Sequence, residues 1–519
     1  MSAVPGASSS LFRRISDSVY WNTLLLPVVA LCTTLTSVLI RRRFGLASGA
    51  YDVLLGLVNT SLFYSSFGIP SSLAKTLPER EIASGRLAVE RLVRRACSAR
   101  FAILGVFIAA LNLWAGPIAE RLHLGPGGVV YLRLLGGLIA ARAATDLLTY
   151  ILYAFLAQRQ VNLLIILQSL LDPTLIALAL TLGYGIGGVI VALASSTATV
   201  AIAGALSAAR VIRELPASPG PRTRVVPVSA AWKFSLFDYL IELSRYFGGA
   251  DFARTALGAA LDSRGLVAIF AVGFYLAFMV VNLVASIFRG IYRPMFSRLR
   301  AEGRSADLRL AFVAVSKTQL ALLIPAGVGL AVMAADYVPL LYGSTFSPAV
   351  TVTRILIVLL VTETAFNQAM MILTVDERYA TVLKLVAIQT LAAPLVVVAA
   401  KYRGVEMAAL VLGLGRATTS VTAYLVCLRR YALPYPWTFA GKVFAAASGM
   451  GAVLLLGRVL LPTSAVQTVS LTIAGALVFA IGVRLTGAIG VEELRLLRRA
   501  NLPGGRWILA LFGAPMEAR

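Results

Sequence analysis

The sequence predicts an all-α, polytopic membrane protein of about fourteen transmembrane helices, arranged as two repeated six-helix halves followed by two extra helices. Three observations carry that expectation. Hydrophobic residues make up 59% of the 519-residue chain and charged residues only 13%, with a mean hydropathy of +0.85; a soluble domain is about a quarter charged. The apolar runs are helix-length, about 20 residues, which excludes an outer-membrane barrel of alternating strands about ten residues long. Lys and Arg cluster in the short segments between those runs, as the positive-inside rule requires.

The first span, 19–40, follows Arg13 and Arg14 and stops at Arg41, Arg42 and Arg43. The second, 47–74, opens after Gly45. A cation-rich stretch from Lys75 to Arg100 leads into the third, 98–118. An outer turn with His123, Gly125 and Pro126 precedes the fourth, 129–155, and Gln158-Arg159 precedes the fifth, 160–182. The turn Gly183-Tyr184-Gly185-Ile186-Gly187-Gly188 opens the sixth, 186–209. A segment rich in Pro, Ser and Arg, Pro216–Pro227, separates it from the seventh, 232–256; the eighth is 264–290. Cations from Arg289 to Lys317 introduce the ninth, 310–335. The remaining five are 349–374, 379–400, 404–428, 438–461 and 465–487.

Domain boundaries follow from these spans. Residues 1–214 form an N-terminal lobe of six helices, 215–231 a cytoplasmic linker, 232–430 a C-terminal lobe of six, and 431–487 the two extra helices. Residues 488–519 form a cytoplasmic tail, in which Glu492–Arg499 alternates Leu with Arg and Glu as a surface amphipathic helix does. Even-numbered loops and both tails carry more than three times the cations of the opposite side, which places both termini in the cytoplasm. A cleavable signal is not expected, since the first apolar run is long and no small-residue cleavage site follows. The net charge of +24 is therefore an orientation signal suited to anionic headgroups, and nucleic acid is not an expected partner.

The chain repeats itself once. Gln158-Arg159-Gln160 and Glu377-Arg378-Tyr379 each precede a span and lie 219 residues apart, as do Gly185 and Gly404. Six spans fit that interval, so the halves are parallel repeats related by an axis along the membrane normal. Several letter patterns carry no chemistry. Gly183–Gly188 matches a dinucleotide fingerprint but joins two membrane spans. Asn59-Thr60-Ser61 is a glycosylation sequon inside the second span. A Walker loop is missing, so neither ATP hydrolysis nor a cofactor is expected. The single histidine, His123, reads as an ordinary exposed residue and argues against a His-based metal site. Cys32, Cys97 and Cys427 make no disulfide framework.

The stretch Ile40-Arg41-Arg42-Arg43-Phe44-Gly45, then Gly49-Ala50-Tyr51-Asp52-Val53, Phe67-Gly68-Ile69-Pro70 and Leu77-Pro78-Glu79, resembles the first helix pair of polysaccharide-type flippases. These belong to the multidrug/oligosaccharidyl-lipid/polysaccharide (MOP) transporter superfamily. Arg293-Pro294-Met295-Phe296-Ser297, Leu340-Leu341-Tyr342-Gly343 and Tyr402-Arg403-Gly404 extend the resemblance over nearly the whole chain. It implies two pseudo-symmetric six-helix lobes around a central cavity with two extra helices. It also implies movement of polyprenyl-pyrophosphate-linked oligosaccharides across the cytoplasmic (inner) membrane for cell-surface polysaccharide synthesis. The implied partners are that glycan lipid, membrane lipids, H+ or Na+, and glycan-assembly enzymes. Two other classes stay open. A multidrug exporter of the same superfamily favours an aromatic, acid-lined cavity. A polyprenyl-dependent glycosyltransferase or polymerase needs a large external loop, and every external loop here is short. The expectation is a transporter, not an enzyme.

Charges inside the spans are functional candidates, because each costs a few kcal/mol at the bilayer centre unless paired or wetted. The cations are Arg133, Arg142, Arg245, Arg354, Lys384 and Arg416; the acids are Asp146, Asp172, Asp238, Glu242, Asp251 and Glu363. Arg142 and Asp146 are spaced at i,i+4 to neutralise each other. Asp238, Glu242 and Arg245 share one helical stripe with surplus negative charge, which makes Asp238 and Glu242 an expected proton or sodium site. Asp251 joins them as an ion-coupling candidate. So does Glu363, which stands with Asn367 and has no base near it in sequence. A pyrophosphate needs fixed positive charge, and the planar fork of Arg matches its oxygens. Arg142, Arg245, Arg354 and Lys384 are the expected headgroup contacts, with Arg133 and Arg254, nearer the outer face, receiving it after the lobes rock. Snorkelling to the interface competes as the role of Arg133 and Arg354.

Overall fold

A chain in lipid must satisfy its own amides, and a long apolar run does so as a helix. The computed structural model describes residues 5–155, 157–215, 239–287, 296, 299, 300, 303–461 and 464–488, and every regular element among them is helical. Helix α1 is Pro5–Phe44, α2 Gly49–Tyr64, α3 Ile69–Ser84, α4 Arg86–Leu113, α5 Ala115–Arg121, α6 Gly128–Ala154, α7 Gln158–Thr181 and α8 Ile186–Arg213. Next, α9 covers 239–247. Then come α10 Ala250–Ala260, α11 Arg264–Ile287, α12 Ser305–Tyr342, α13 Ala349–Phe366, α14 Gln368–Val375, α15 Tyr379–Tyr431, α16 Trp437–Leu460 and α17 Ala465–Leu485. The linker Pro216–Pro227, Asp238 and the tail segment Glu492–Arg499 lie outside the described residues.

Eleven stretches among the described residues are long and apolar enough to cross a membrane, which makes this a multi-pass membrane protein. Two of the eleven are double. Leu25–Tyr64 bends through the tight turn Gly45–Ser48. The 53-residue α15 turns at Gly404, whose φ of 83° only glycine enters freely. The second expected span is shorter than its hydropathy predicts: α2 ends at Tyr64, and Phe67 and Gly68 turn the chain into α3. Pro70 in the first turn of α3 fixes that start, because a helix leaves its first amides unbonded anyway. Within the expected span 349–374 a break at Asn367 divides α13 from α14.

The repeat is visible in the helix boundaries. Gly128 and Ala349 open α6 and α13, and Gln158 and Tyr379 open α7 and α15. Gly183 and Gly404 hold turns with φ of 80° and 83°. Each pair lies 221 residues apart. Ala157 and Arg378, one residue before α7 and α15, share a backbone conformation: φ −79°, ψ 52° and φ −81°, ψ 50°. The frame is two residues longer than the 219 read from sequence. That offset matched Gly404 to Gly185, and only turn geometry selects Gly183 from a run holding four glycines.

Two compact units divide the chain. The first holds residues 28–271 and 383–415. Its core gathers α3, α4, α6, α7 and α8 about Leu73, Leu77, Val89, Leu147, Ile151 and Val200. The second comprises residues 1–27, 272–382 and 416–519; in it α12, α16 and α17 meet around Met333, Met450, Leu454 and Leu471. Leu113, Ile202, Leu206, Leu391, Val459 and Ile473 stand exposed. A surface this apolar over whole helices is one that hydrocarbon solvates.

Candidate functional site

In the first unit, α2 carries Asp52, Gly56, Asn59 and Phe63 along one stripe at helical spacing. A Cβ at Gly56 would lie 2.9 Å from the backbone oxygen of Asp251, so glycine there lets α10 lie against α2. That approach brings the Asp251 carboxylate within reach: Asn59 Nδ2 donates to Asp251 Oδ1 at 3.0 Å. The other end of the same amide, Asn59 Oδ1, accepts from Arg142 Nη1 on α6 at 3.1 Å. Arg254 lies 3.5 Å from Asp251 Oδ1. The chain Arg142–Asn59–Asp251–Arg254 thus joins two cations to one carboxylate and carries a net positive charge. At the far end of α2, Arg41 pairs with Asp52 at 2.8 Å and donates to Ser37 at 3.0 Å, with both charged groups buried. Asp172 on α7 accepts from Ser196 at 2.5 Å, and Gln168 donates to Thr197 at 3.1 Å.

Other expected residues fall differently. Arg142 makes no ion pair with Asp146; its guanidinium turns to Asn59 instead. Asp146 is exposed, and the charge that acts on it is that of Arg100. Arg100 is fully buried and donates to the backbone oxygen of Leu62 at 2.9 Å. Glu242 pairs with Arg245 at 2.8 Å, both side chains nearly half exposed. Arg133 and Lys384 are exposed and bond no side chain among the described residues. His123 is half-buried, 3.4 Å from both Asp262 Oδ1 and the backbone oxygen of Gly258, rather than an ordinary exposed residue.

In the second unit, Glu363 does have a base. Arg416, 53 residues further along, binds it with two donors, Nε at 2.7 Å and Nη2 at 3.0 Å. Arg354 donates to the backbone oxygen of Ala331 at 2.9 Å. Gln368 links Ser316 and Gln319 in a buried amide chain. In the turn between α14 and α15, Asp376 accepts from Arg300 at 2.8 Å, from Arg378 at 3.3 Å and from the Tyr431 hydroxyl. Burial pushes this carboxyl up, but the hydrogen bonds from Tyr431, Arg300 and Arg378 outweigh it and hold it below the usual carboxylate value.

The 221-residue frame places Arg142 opposite Glu363 and Asp146 opposite Asn367, and it pairs Arg133 with Arg354 and Gln168 with Gln389. Of these four pairs only Arg142 and Glu363 bear opposite charge. The acid is paired with Arg416, whereas Arg142 makes no ion pair among the described residues and its charge reaches Asp172 only through space. Among the described residues no group of three His, Cys, Asp or Glu is placed to hold a metal ion.

Sequence reasoning passed over Asn59, set aside as a sequon. It also counted Arg41 among loop charges and left Asp52 inside a motif. The recoverable signal was spacing: Asp52 and Asn59 stand seven apart on an apolar helix, both facing inward.

The model of the polysaccharide biosynthesis protein family matches residues 101–351. No curated protein matches the chain. Among solved structures, the lipid II flippase MurJ in an inward closed conformation aligns with a TM-score of 0.68 at 12% identity, over 89% of this chain and 98% of that one. An inward-facing multidrug resistance MATE family transporter of the MOP superfamily aligns at 0.64 and 13%, over 78% and 94%. A MOP superfamily transporter from Pyrococcus furiosus aligns at 0.57 and 14%, over 81% and 95%. At such identities the likeness is one of fold.

Proposed function

We propose that this chain is a polysaccharide-type member of the MOP superfamily and a secondary flippase, a reading supported by its fold and by its matched segment. Its cargo on this reading is a polyprenyl-pyrophosphate-linked oligosaccharide, moved across the cytoplasmic membrane by alternating access, with both termini in the cytoplasm. One observation supports the cargo most: two guanidinium groups share a single carboxylate through Asn59 at membrane depth. Arg142 is held there by a neutral amide rather than by a carboxylate of its own, which leaves its guanidinium available to an anionic visitor. A pyrophosphate supplies one, and Arg forks grip its oxygens without trapping a ligand that must leave.

Arg142 and Arg254 are the first headgroup contacts on this reading, with Lys384 and Arg133 as further cations that no acid neutralises, and Arg354 and Arg245 behind them. Coupling to H+ or Na+ falls to Asp251, Glu242 and Asp238. Glu363, neutralised by Arg416, is assigned to structure. The test is depletion of the protein in its own cells, followed by identification of the lipid-linked sugars. A glycan lipid accumulating in the inner leaflet supports the flippase. Unchanged glycan lipids with new sensitivity to organic cations would favour multidrug export.

A further inference from the structure

Four aromatic rings in the first unit form a column. Phe67, Tyr239, Phe63 and Tyr246 follow one another with centroids 5.9, 5.5 and 5.0 Å apart and planes inclined by 15°, 7° and 7°. Tyr64 closes one side, edge-on to Phe63 at 5.6 Å and to Tyr246 at 5.7 Å. The sequence sets part of this up by periodicity: Thr60, Phe63 and Tyr64 stand at i, i+3 and i+4 on α2, and the turn that follows brings Phe67 onto Tyr239, which lies two turns from Tyr246 on α9. The inner end is polar, because the Tyr246 hydroxyl bonds to Thr60, the neighbour of Asn59. The column thus runs from the Arg142–Asn59–Asp251 network to Phe67.

Phe67 is the unusual member. The residue is 50% exposed and its backbone is left-handed, with φ 45°, followed by Gly68 at 70°. A bulky residue in that region is an outlier. Helix packing alone gives no reason to hold a phenylalanine there only to leave it in the open. A membrane-interface aromatic belt explains single rings pointing at headgroups; it does not explain four parallel rings backed onto one another. The hydroxyls of Tyr64 and Tyr239 bond no described residue, so neither ring is held by a polar partner at its edge. An open aromatic face matches the apolar C–H face of a pyranose ring.

We propose that Phe67, backed by Tyr239, is a stacking site for a sugar ring of the lipid-linked glycan. This rests on the flippase reading and adds a glycan subsite to it. Three ring spacings separate Phe67 from Tyr246, so the ring received lies well out along the glycan, not next to the pyrophosphate. The site therefore distinguishes a long glycan from a short one.

The test measures binding of the purified full chain to three probes: polyprenyl pyrophosphate bare, with one sugar, and with a tetrasaccharide. The parent should bind the tetrasaccharide lipid about tenfold more tightly than the other two, the worth of one good ring contact. Phe67→Ala and Tyr239→Ala should abolish that advantage while leaving the bare lipid unchanged, and Phe67→Tyr should restore it. Equal weakening for all three probes would mean the column only packs helices, and equal binding of all three by the parent would remove the glycan site. Either result overturns the stacking site and leaves the flippase standing. Binding of none of the probes would overturn both.

Discussion

Glu363→Ala and Arg416→Ala separate a structural ion pair from an ion-coupling site. Two charge-assisted bonds of 2.7 and 3.0 Å join the side chains, which keep 13% and 17% of their exposure. Removing one partner of a buried pair costs about 3–5 kcal/mol, most of it from the charge left behind. The residual exposure puts this pair at the lower end, about 3 kcal/mol. For a cooperative unit of roughly 200 residues that loss lowers the unfolding midpoint by about 6–12 °C. Thermal unfolding of the detergent-solubilised protein measures it. The double mutant should lose about 2 kcal/mol less than the two single losses added together, since removing both charges strands neither. A Glu363→Ala protein that melts with the parent, yet loses ion-driven transport, would refute the structural role and return Glu363 to coupling.

Three further outcomes follow from the geometry. Arg142→Ala should reduce glycan export at least tenfold with normal expression, and Arg142→Lys should fall between, since it keeps the charge and loses the fork; quantitative surface-glycan analysis reads both. Gly49→Ala would set a Cβ 1.8 Å from the backbone oxygen of Arg264, so overpacking should cost about 1–3 kcal/mol or more and show as poor folded yield on size-exclusion chromatography. The carboxyl of Asp376 sits below its ordinary value, so it stabilises the fold at neutral pH and that contribution fades as pH falls below about 4. Asp376→Asn should therefore melt lower than the parent at pH 7, and the gap should close on acidification.

The helical class and the repeat were legible because lipid allows little else: long apolar runs must be helices, and their charged ends mark orientation. Breaks within runs were less legible. Phe67-Gly68 and Asn367 interrupt hydropathy that reads as continuous, because a turn inside an apolar stretch leaves its composition unchanged. For the site, listing intramembrane charges found Arg142 and Asp251, with Arg254 named only as an outer-face cation, but not what joins them. Their link, Asn59, is uncharged, and its neighbours come from helices 83 and 192 residues away. The i,i+4 rule offered Asp146 to Arg142 and missed Arg416 for Glu363 for the same reason. Local spacing cannot weigh a partner that packing brings from another helix.

Transport itself is the most direct measurement. The purified protein in proteoliposomes, with a polyprenyl-pyrophosphate-linked oligosaccharide in one leaflet, is assayed by the rate at which the glycan becomes accessible to an enzyme outside. A flippase moves it faster than protein-free liposomes do, without ATP, and Arg142→Ala protein at equal density loses the acceleration. A rate equal to that of empty liposomes, from protein that instead moves organic cations against a proton or sodium gradient, would contradict the assignment.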